Sequence, residues 1–186
     1  MSKRRILLTS TGFDNKNFVN IFRDHIRKFP KNVKVLFIPT AANDNETRSV
    51  VPLCLQEIID LGIPYKNIEY YGLEYHMILD ELEMYDVIYF CGGSETYLMN
   101  KINEVKFGGV LKKAINNGLF YIGVSAGSMI ASASVENSLK IIPNKLEPHC
   151  TKNITPCGSI PSAETEIGLS DNTAVWIYGD NAQIIE

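Results

Sequence analysis

The sequence lacks a long hydrophobic run. Its first apolar stretch, residues 6–8, follows a basic start and is too short for a signal-peptide core or a membrane span. We therefore expect a cytoplasmic protein that makes no membrane contact. Residues 5–9 are predicted to form a first strand instead.

Concentrated positive charge and paired cysteines are also missing. The net charge is −3 and the Lys and Arg residues are scattered, which argues against a nucleic-acid partner. Four cysteines without the spacing of a disulfide framework indicate reduced thiols. They are Cys54, Cys91, Cys150 and Cys157.

Motifs for metals and common cofactors are absent as well. His149, Cys150 and Cys157 are close in sequence, but their spacing matches no common zinc pattern and a fourth ligand is missing. The glycines at 92–93 lack the third glycine and the acidic partner of a dinucleotide fingerprint, and no phosphate loop is present. We therefore predict no metal and no cofactor.

The chain has no internal repeat, low-complexity segment or linker, so its 186 residues are predicted to form one domain, residues 1–186. Apolar strand-like runs alternate with helical patterns, which indicates an α/β fold: a three-layer structure with a mostly parallel central sheet, helices on both faces and a C-terminal β-hairpin. Predicted strands are 5–9, 33–38, 67–71, 86–91, 120–124, 139–142, 173–178 and 182–185. Predicted helices are 17–28, 47–61, 75–82, 96–102 and 109–116, and residues 150–162 are expected to be loop.

A short glycine-flanked motif, Gly123-Val124-Ser125-Ala126-Gly127, directly follows the predicted strand 120–124. This is the G-x-S-x-G pattern of a nucleophile elbow, in which a serine sits on a tight strand-to-helix turn with its hydroxyl exposed. The two glycines could equally do no more than let a strand turn into a helix. The interpretation of Ser125 as a nucleophile therefore depends on the rest of the chain.

A serine nucleophile needs a base, and the chain has three histidines. His25 lies inside the first predicted helix and His76 in a short helix, which are typical of surface or packing positions. His149 follows a predicted strand and begins a loop from which it could reach back to Ser125. We predict His149 as the base.

A carboxylate would orient the histidine and stabilise its charged form. Glu136 is the nearest one downstream of the elbow and is our choice. Spacing alone does not decide, and Glu147, Glu164, Glu166 and Asp171 remain candidates.

An oxyanion hole needs two N–H donors. The residue after the nucleophile, Ala126, supplies one in elbow geometry. A second glycine-rich loop, residues 92–94, follows another predicted strand and permits close backbone approach. We expect the second donor there.

Four segments together carry a resemblance to a known family: residues 35–41, the glycine loop 91–96, the elbow 121–127, and Glu147-Pro148-His149. In order and approximate spacing they resemble the dipeptidase E group of serine peptidases, which includes cyanophycinase relatives. The resemblance implies a class I glutamine amidotransferase-like, flavodoxin-like fold with serine in place of the usual cysteine. It also implies Ser125 as nucleophile, His149 as base, Glu136 as the acidic residue, and the amides of Gly93 and Ala126 as the oxyanion hole.

The resemblance further implies the hydrolysis of a small peptide, with a dipeptide bearing an N-terminal aspartate as one candidate. Aspartyl dipeptidases of the family hold that aspartate with basic residues after the histidine. Here residues 150–157 contain Lys152 and no arginine, and the helix expected there is largely missing, so the preference for aspartate stays open.

Three functions follow from these observations. The first is a serine peptidase or amidohydrolase that forms an acyl-enzyme on Ser125, with a small peptide as its partner and a homodimer as one candidate assembly. The second is an inactive amidotransferase-like binding or regulatory domain, suggested by the short segment after His149. The third, a glutaminase, is disfavoured because the elbow holds a serine and Cys91 lies at a strand end.

Overall fold

The computed structural model describes residues 3–186 and has an α/β architecture. Its strands are β1 (Arg5–Thr9), β2 (Val35–Ile38), β3 (Ile68–Tyr70), β4 (Val87–Phe90), β5 (Phe120–Val124), β6 (Leu146–Glu147), β7 (Gly158–Ser159), β8 (Ile167–Gly168), β9 (Ala174–Tyr178) and β10 (Asn181–Ile185). Its α-helices are α1 (Lys16–His25), α2 (Val51–Asp60), α3 (Leu79–Leu82), α4 (Glu95–Glu104), α5 (Phe107–Asn117) and α6 (Ala126–Met129). Short 3₁₀ turns cover Pro30–Asn32, Thr47–Val50 and Tyr65–Asn67.

Eight strands form the main sheet in the order β3-β2-β4-β5-β1-β9-β10-β7. The first five of these are parallel to one another, and β9, β10 and β7 each run antiparallel to the preceding neighbour. The predicted C-terminal hairpin is the β9–β10 pair. A second, two-stranded parallel sheet joins β6 to β8.

Alternate residues of each central strand point to opposite faces, and helices cover both faces. In β1, Ile6 and Leu8 belong to one buried cluster, whereas Leu7 belongs to the other. Apolar residues of α3, α4 and α5 pack on the first face, and those of α1 and α2 pack on the second. This confirms the predicted three-layer arrangement, in which a parallel sheet is buried on both sides.

The register of the central strands brings their carboxyl ends together. Thr9 at the end of β1 pairs with Val124 at the end of β5, and Phe90 at the end of β4 pairs with Gly123. The loops that follow β1, β4 and β5 therefore leave the sheet at one edge, where open α/β sheets place their ligands.

The structure corrects three local predictions. Residues 139–142 are not a strand, because Lys140 has a positive φ of 48° and the N–H groups of Leu139 and Ile141 bond to Ile130 and Ala131. The alternating apolar residues of this segment pack into the core as a loop instead. The predicted helix 75–82 is only the single turn α3, and the predicted loop 150–162 contains β7, which extends the sheet beside β10.

No helix within residues 3–186 is long and apolar enough to cross a membrane.

Candidate active site

Ser125 occupies a strained backbone conformation between β5 and α6. Its φ of 47° and ψ of −103° lie outside the regions that L-residues ordinarily adopt. The Ser125 N–H donates to Thr9 O at 2.9 Å, which ties the turn to the end of β1. A strained non-glycine residue held by its surroundings is a common feature of functional sites, and the nucleophile elbow is one of them.

The two glycines of the motif are required by close backbone contacts. A Cβ atom on Gly123 would lie 2.6 Å from the carbonyl carbon of Gly127, and one on Gly127 would lie 2.6 Å from Cβ of Phe90. Neither position can therefore carry a side chain without moving the turn. The close approach of α6 to β4 and β5 depends on both glycines.

Buried hydroxyl groups brace the same turn. Ser128 Oγ lies 2.8 Å from Thr9 O and 2.7 Å from Gly123 O, and the Tyr121 hydroxyl donates to Gly127 O. Ser128 and Tyr121 are both fully buried. These bonds hold the first turn of α6 against β1 and β5, and so fix the direction of the Ser125 side chain.

His149 reaches the serine hydroxyl. Its Nε2 atom lies 3.1 Å from Ser125 Oγ, within hydrogen-bond distance. The His149 N–H donates to Ser10 Oγ at 3.1 Å, which anchors the residue to the loop after β1. The other two histidines lie elsewhere, since His25 bonds Ile21 O inside α1 and His76 bonds Val105 O.

The carboxylate that contacts His149 is Asp171, and the choice of Glu136 is wrong in this respect. Asp171 Oδ1 lies 2.9 Å from His149 Nδ1. Glu136 is exposed on a turn, and the next three residues line a different cavity beside α4 and α5.

The small β6–β8 sheet explains how Asp171 comes to the histidine. The two strands are parallel, with Glu147 opposite Gly168, so both chains leave the sheet in the same direction. His149 follows the end of β6 and Asp171 follows the end of β8. The Cys150 N–H donates to Leu169 O at 2.8 Å and holds the two segments side by side.

The predicted oxyanion loop lies next to the serine. Gly93 has a φ of 137°, and a Cβ there would lie 2.2 Å from Ala41 O, so only glycine fits. A Cβ on Gly92 would lie 3.4 Å from Cβ of Ser125, which places this loop directly against the nucleophile. Ala126 is the first residue of α6, the position expected for the second N–H donor. Because α6 has only four residues, these individual amides matter more than a helix dipole.

The chain matches a known protein family over most of its length. The model of peptidase family S51 matches residues 6–185. The chain belongs to peptidase family S51.

Individual relatives extend over most of this family S51 chain. Peptidase E of Nostoc sp. is 24% identical over 96% of this chain and 79% of its own length. Peptidase E of Shewanella denitrificans is 22% identical over 100% of this chain and 88% of its own length. The chain is therefore a serine peptidase related to the peptidase E proteins, which confirms the resemblance drawn from its motifs.

Two solved structures share the fold of this S51 member. A Listeria monocytogenes protein provisionally named as a peptidase E has a TM-score of 0.76 at 20% identity and covers 98% of both chains. A peptidase from an acI-B1 Actinobacterium has a TM-score of 0.72 at 18% identity, covering 99% of this chain and 88% of its own.

A cavity of about 630 Å³ opens beside Ser125 of this S51 peptidase. Its lining comes from the loop after β1, from α2 with the turn before it, and from the glycine loop and the elbow. The residues are Ser10, Thr11, Asp14, Thr47, Val50, Leu53, Cys54, Gln56, Glu57, Asp60, Gly92, Gly93, Val124, Ser125 and His149. Ser125 and His149 thus line the same cavity.

Among the carboxyl groups that line the cavity, that of Glu57 has the most strongly shifted pKa. Burial raises the pKa of Glu57 to about 7, although bonds from the Tyr89 hydroxyl and the Phe13 N–H act in the opposite direction. The Tyr89 hydroxyl donates to Glu57 Oε2 at 2.7 Å. Sequence reasoning missed this residue; the available signal was a carboxylate on the helical face that also carries the buried Cys54 and Ile58.

Cys91 is a poor candidate for a nucleophile. Its side chain is fully buried at the end of β4, and burial raises the pKa of its thiol well above the ordinary value. A thiol that stays protonated is a weak nucleophile. The burial and raised pKa of this thiol disfavour a glutaminase.

Proposed function

We propose that this S51 peptidase hydrolyses small peptides through an acyl-enzyme on Ser125, with His149 as general base and Asp171 as the residue that orients it. The single observation that carries the proposal is the continuous contact from Ser125 Oγ through the His149 ring to Asp171 Oδ1. A serine hydroxyl is barely nucleophilic at neutral pH without such a base.

In this proposal the two ring nitrogens of His149 have different roles. Asp171 accepts a hydrogen bond from His149 Nδ1–H, so Nε2 carries the lone pair that faces Ser125 Oγ. As Oγ attacks the scissile carbonyl carbon, its proton moves to Nε2 and an imidazolium forms beside the Asp171 carboxylate. The imidazolium then gives that proton to the leaving amine, and the acyl group stays on Oγ.

Water completes the reaction by the reverse set of transfers. His149 Nε2 takes a proton from the attacking water, and Ser125 Oγ leaves with that proton as the acid product departs. In both steps the carbonyl oxygen becomes negative, and we assign the Gly93 and Ala126 amides as its hydrogen-bond donors. The glycine loop supports this assignment because it lies against the nucleophile.

The size of the site supports a small substrate. A cavity of about 630 Å³ lies within the range of about 300–1,000 Å³ that is usual for small-molecule sites. A dipeptide fits this scale. A dipeptide with N-terminal aspartate is the substrate that the family resemblance suggests, but the cavity lining contains no Lys or Arg to hold its side-chain carboxylate.

The alternative function is an inactive binding or regulatory domain. In such a domain we expect the serine and the histidine to lie too far apart to react. The 3.1 Å separation favours the enzyme instead.

Mass spectrometry and turnover together test the proposed function. The wild-type protein should gain one fluorophosphonate adduct on Ser125 and should release free amino acids from a dipeptide panel. Ser125→Ala should lose both properties, whereas Ser159→Ala, an exposed serine in β7, should keep both. Full turnover by Ser125→Ala would contradict the mechanism.

A further inference from the structure

Among the Asp, Glu, Lys and Arg residues, only acidic ones line the cavity beside Ser125. Three carboxylates line it: Asp14 from the loop after β1, and Glu57 and Asp60 from α2. No Lys or Arg is among the lining residues. A carboxylate of the substrate is repelled from such a space, and a cation is attracted to it.

The acidic space is continuous with the reacting atoms. Ser125, His149, Gly92 and Gly93 line the same cavity as the three carboxylates. In a dipeptide the α-ammonium belongs to the N-terminal residue and the free carboxylate to the C-terminal one. The charge of the cavity therefore orients the substrate with its N-terminal residue inside and its C-terminal carboxylate outside.

The cavity also has apolar walls. Val50, Leu53, Cys54 and Val124 contribute this surface. Leu53 is 66% exposed in the free protein, so its side chain is open to a ligand. An aliphatic stem with a cation at its tip matches a cavity lined by both apolar side chains and carboxylates.

Glu57 is fixed in place before any ligand arrives. The Tyr89 hydroxyl holds Oε2, and a Cβ on Gly12 would lie 2.2 Å from that same oxygen, so the carboxyl group packs directly on the Gly12 backbone. None of the ion pairs among residues 3–186 includes Glu57. A partly buried carboxylate without a cationic partner gains from a ligand that brings one.

We infer that this cavity receives the N-terminal residue of the peptide and selects one with a long basic side chain, lysine or arginine. The inference rests on the proposed function, because it takes the acyl part of the substrate to be the part next to Ser125. The methylene stem lies along Leu53 and Val124, and the side-chain cation faces Glu57 and Asp60. The α-ammonium stays within the same negative field.

Competition among four dipeptides tests the inference. We expect kcat/KM for Lys-Ala and Arg-Ala to exceed that for Ala-Ala by about tenfold or more, with Asp-Ala the poorest substrate. Glu57→Gln and Asp60→Asn should each reduce the preference for Lys-Ala over Ala-Ala by about fivefold or more. Asp60 is exposed, so this second variant keeps the test valid if the Glu57 variant fails to fold.

Asp24→Asn is the matched control, since it removes one exposed carboxylate from α1, outside the cavity lining. It should retain the wild-type order of substrates. A preference for Asp-Ala or Ala-Ala in the wild type, or an unchanged preference in both cavity variants, would overturn the inference.

Binding to Ser125→Ala separates this inference from the proposed function. Calorimetry should give Lys-Ala at least about tenfold tighter binding than Asp-Ala. If the wild type cleaves no dipeptide and Ser125→Ala still prefers Lys-Ala, the proposed function fails and the basic-side-chain cavity stands. Tighter binding of Asp-Ala than of Lys-Ala would contradict the preference for a basic side chain, whether or not the wild type cleaves either dipeptide.

Discussion

Ser125 and Asp171 lie on opposite sides of the His149 ring, at 3.1 Å from Nε2 and 2.9 Å from Nδ1. The serine is held by the main sheet, whereas the histidine and the aspartate extend from the separate β6–β8 pair. Ser10, in the loop after β1, joins the main sheet to this pair. Its hydroxyl accepts a hydrogen bond from the His149 N–H and donates one to Leu169 O. The catalytic contact therefore depends on how the small sheet docks against the loop after β1.

Asp171→Asn should lower kcat by about 10²–10⁴ with little change in stability. The asparagine amide can donate to Nδ1 and so favours the tautomer whose Nε2 no longer accepts a proton from Ser125. Asp171 is 62% exposed, so water can replace part of its effect and we expect the lower end of that range. Steady-state kinetics on the best dipeptide measures the change.

Glu136→Gln is the matched control for this prediction, because it removes the carboxylate that sequence spacing favoured. Its kcat should stay within about twofold of wild type. The assignment of Asp171 would fail if the effects were reversed, with Glu136→Gln slow and Asp171→Asn unaffected.

Much of the fold could be predicted because its signals are local. Strands such as 120–124 are continuous apolar runs, and glycines follow them where the chain must turn tightly. The pairing of Ser125 with His149 could also be predicted, since both residues follow strand-like segments and belong to motifs of one family. Strong local patterns of this kind need no knowledge of distant contacts.

The third member of the site depended on contacts that leave no local pattern. Strands β6 and β8 have two residues each, too few for any periodicity, yet their parallel pairing decides which carboxylate reaches His149. The acidic cavity was missed for a similar reason. Asp14 and Glu57 are distant in sequence and meet only because α2 packs beside the loop after β1.

Gly93→Ala should reduce kcat by about 10²–10³, the usual cost of losing one oxyanion donor. The new Cβ would lie 2.2 Å from Ala41 O, and the φ of 137° is unfavourable for alanine, so the Gly93 amide must move. Kinetics on protein shown by circular dichroism to be folded measures the effect. Gly109→Ala in α5 is the control, since a Cβ there meets nothing within 4 Å and its activity should be unchanged. Wild-type kcat in folded Gly93→Ala would rule out this loop as the donor.

Ser128→Ala should lower the free energy of unfolding by about 1–2 kcal/mol, which corresponds to about 2–8 °C in Tm. The fully buried hydroxyl bonds the carbonyls of Thr9 and Gly123, and alanine leaves the Gly123 carbonyl without this partner. Differential scanning calorimetry gives the shift. The exposed Ser159→Ala variant should change Tm by no more than about 2 °C. An equally small shift in Ser128→Ala would show that the hydroxyl does not brace the elbow.

Glu57→Gln should stabilise the protein more at pH 8 than at pH 5. In the folded protein, burial raises the pKa of Glu57 to about 7, compared with an ordinary value of 4.5. Between these values the folded state holds a proton that the unfolded state releases, so stability falls as the pH rises through this window. The penalty is absent below pH 4.5 and complete above about pH 7, where it reaches about 1–3 kcal/mol.

Glutamine has no charge to bury, and its amide oxygen can still accept from the Tyr89 hydroxyl. The Tm difference between Glu57→Gln and wild type, measured by calorimetry across this range, should therefore grow as the pH rises from 5 to 8. Asp24→Asn, which removes an exposed carboxylate, should show no comparable trend. A saturating lysine dipeptide should reduce the difference at pH 8 by stabilising the wild type, because only the ionised Glu57 gains a partner from the ligand cation. A Tm difference that is constant with pH would mean that Glu57 ionises as an ordinary surface carboxylate. The raised pKa of Glu57 in the cavity would then be wrong.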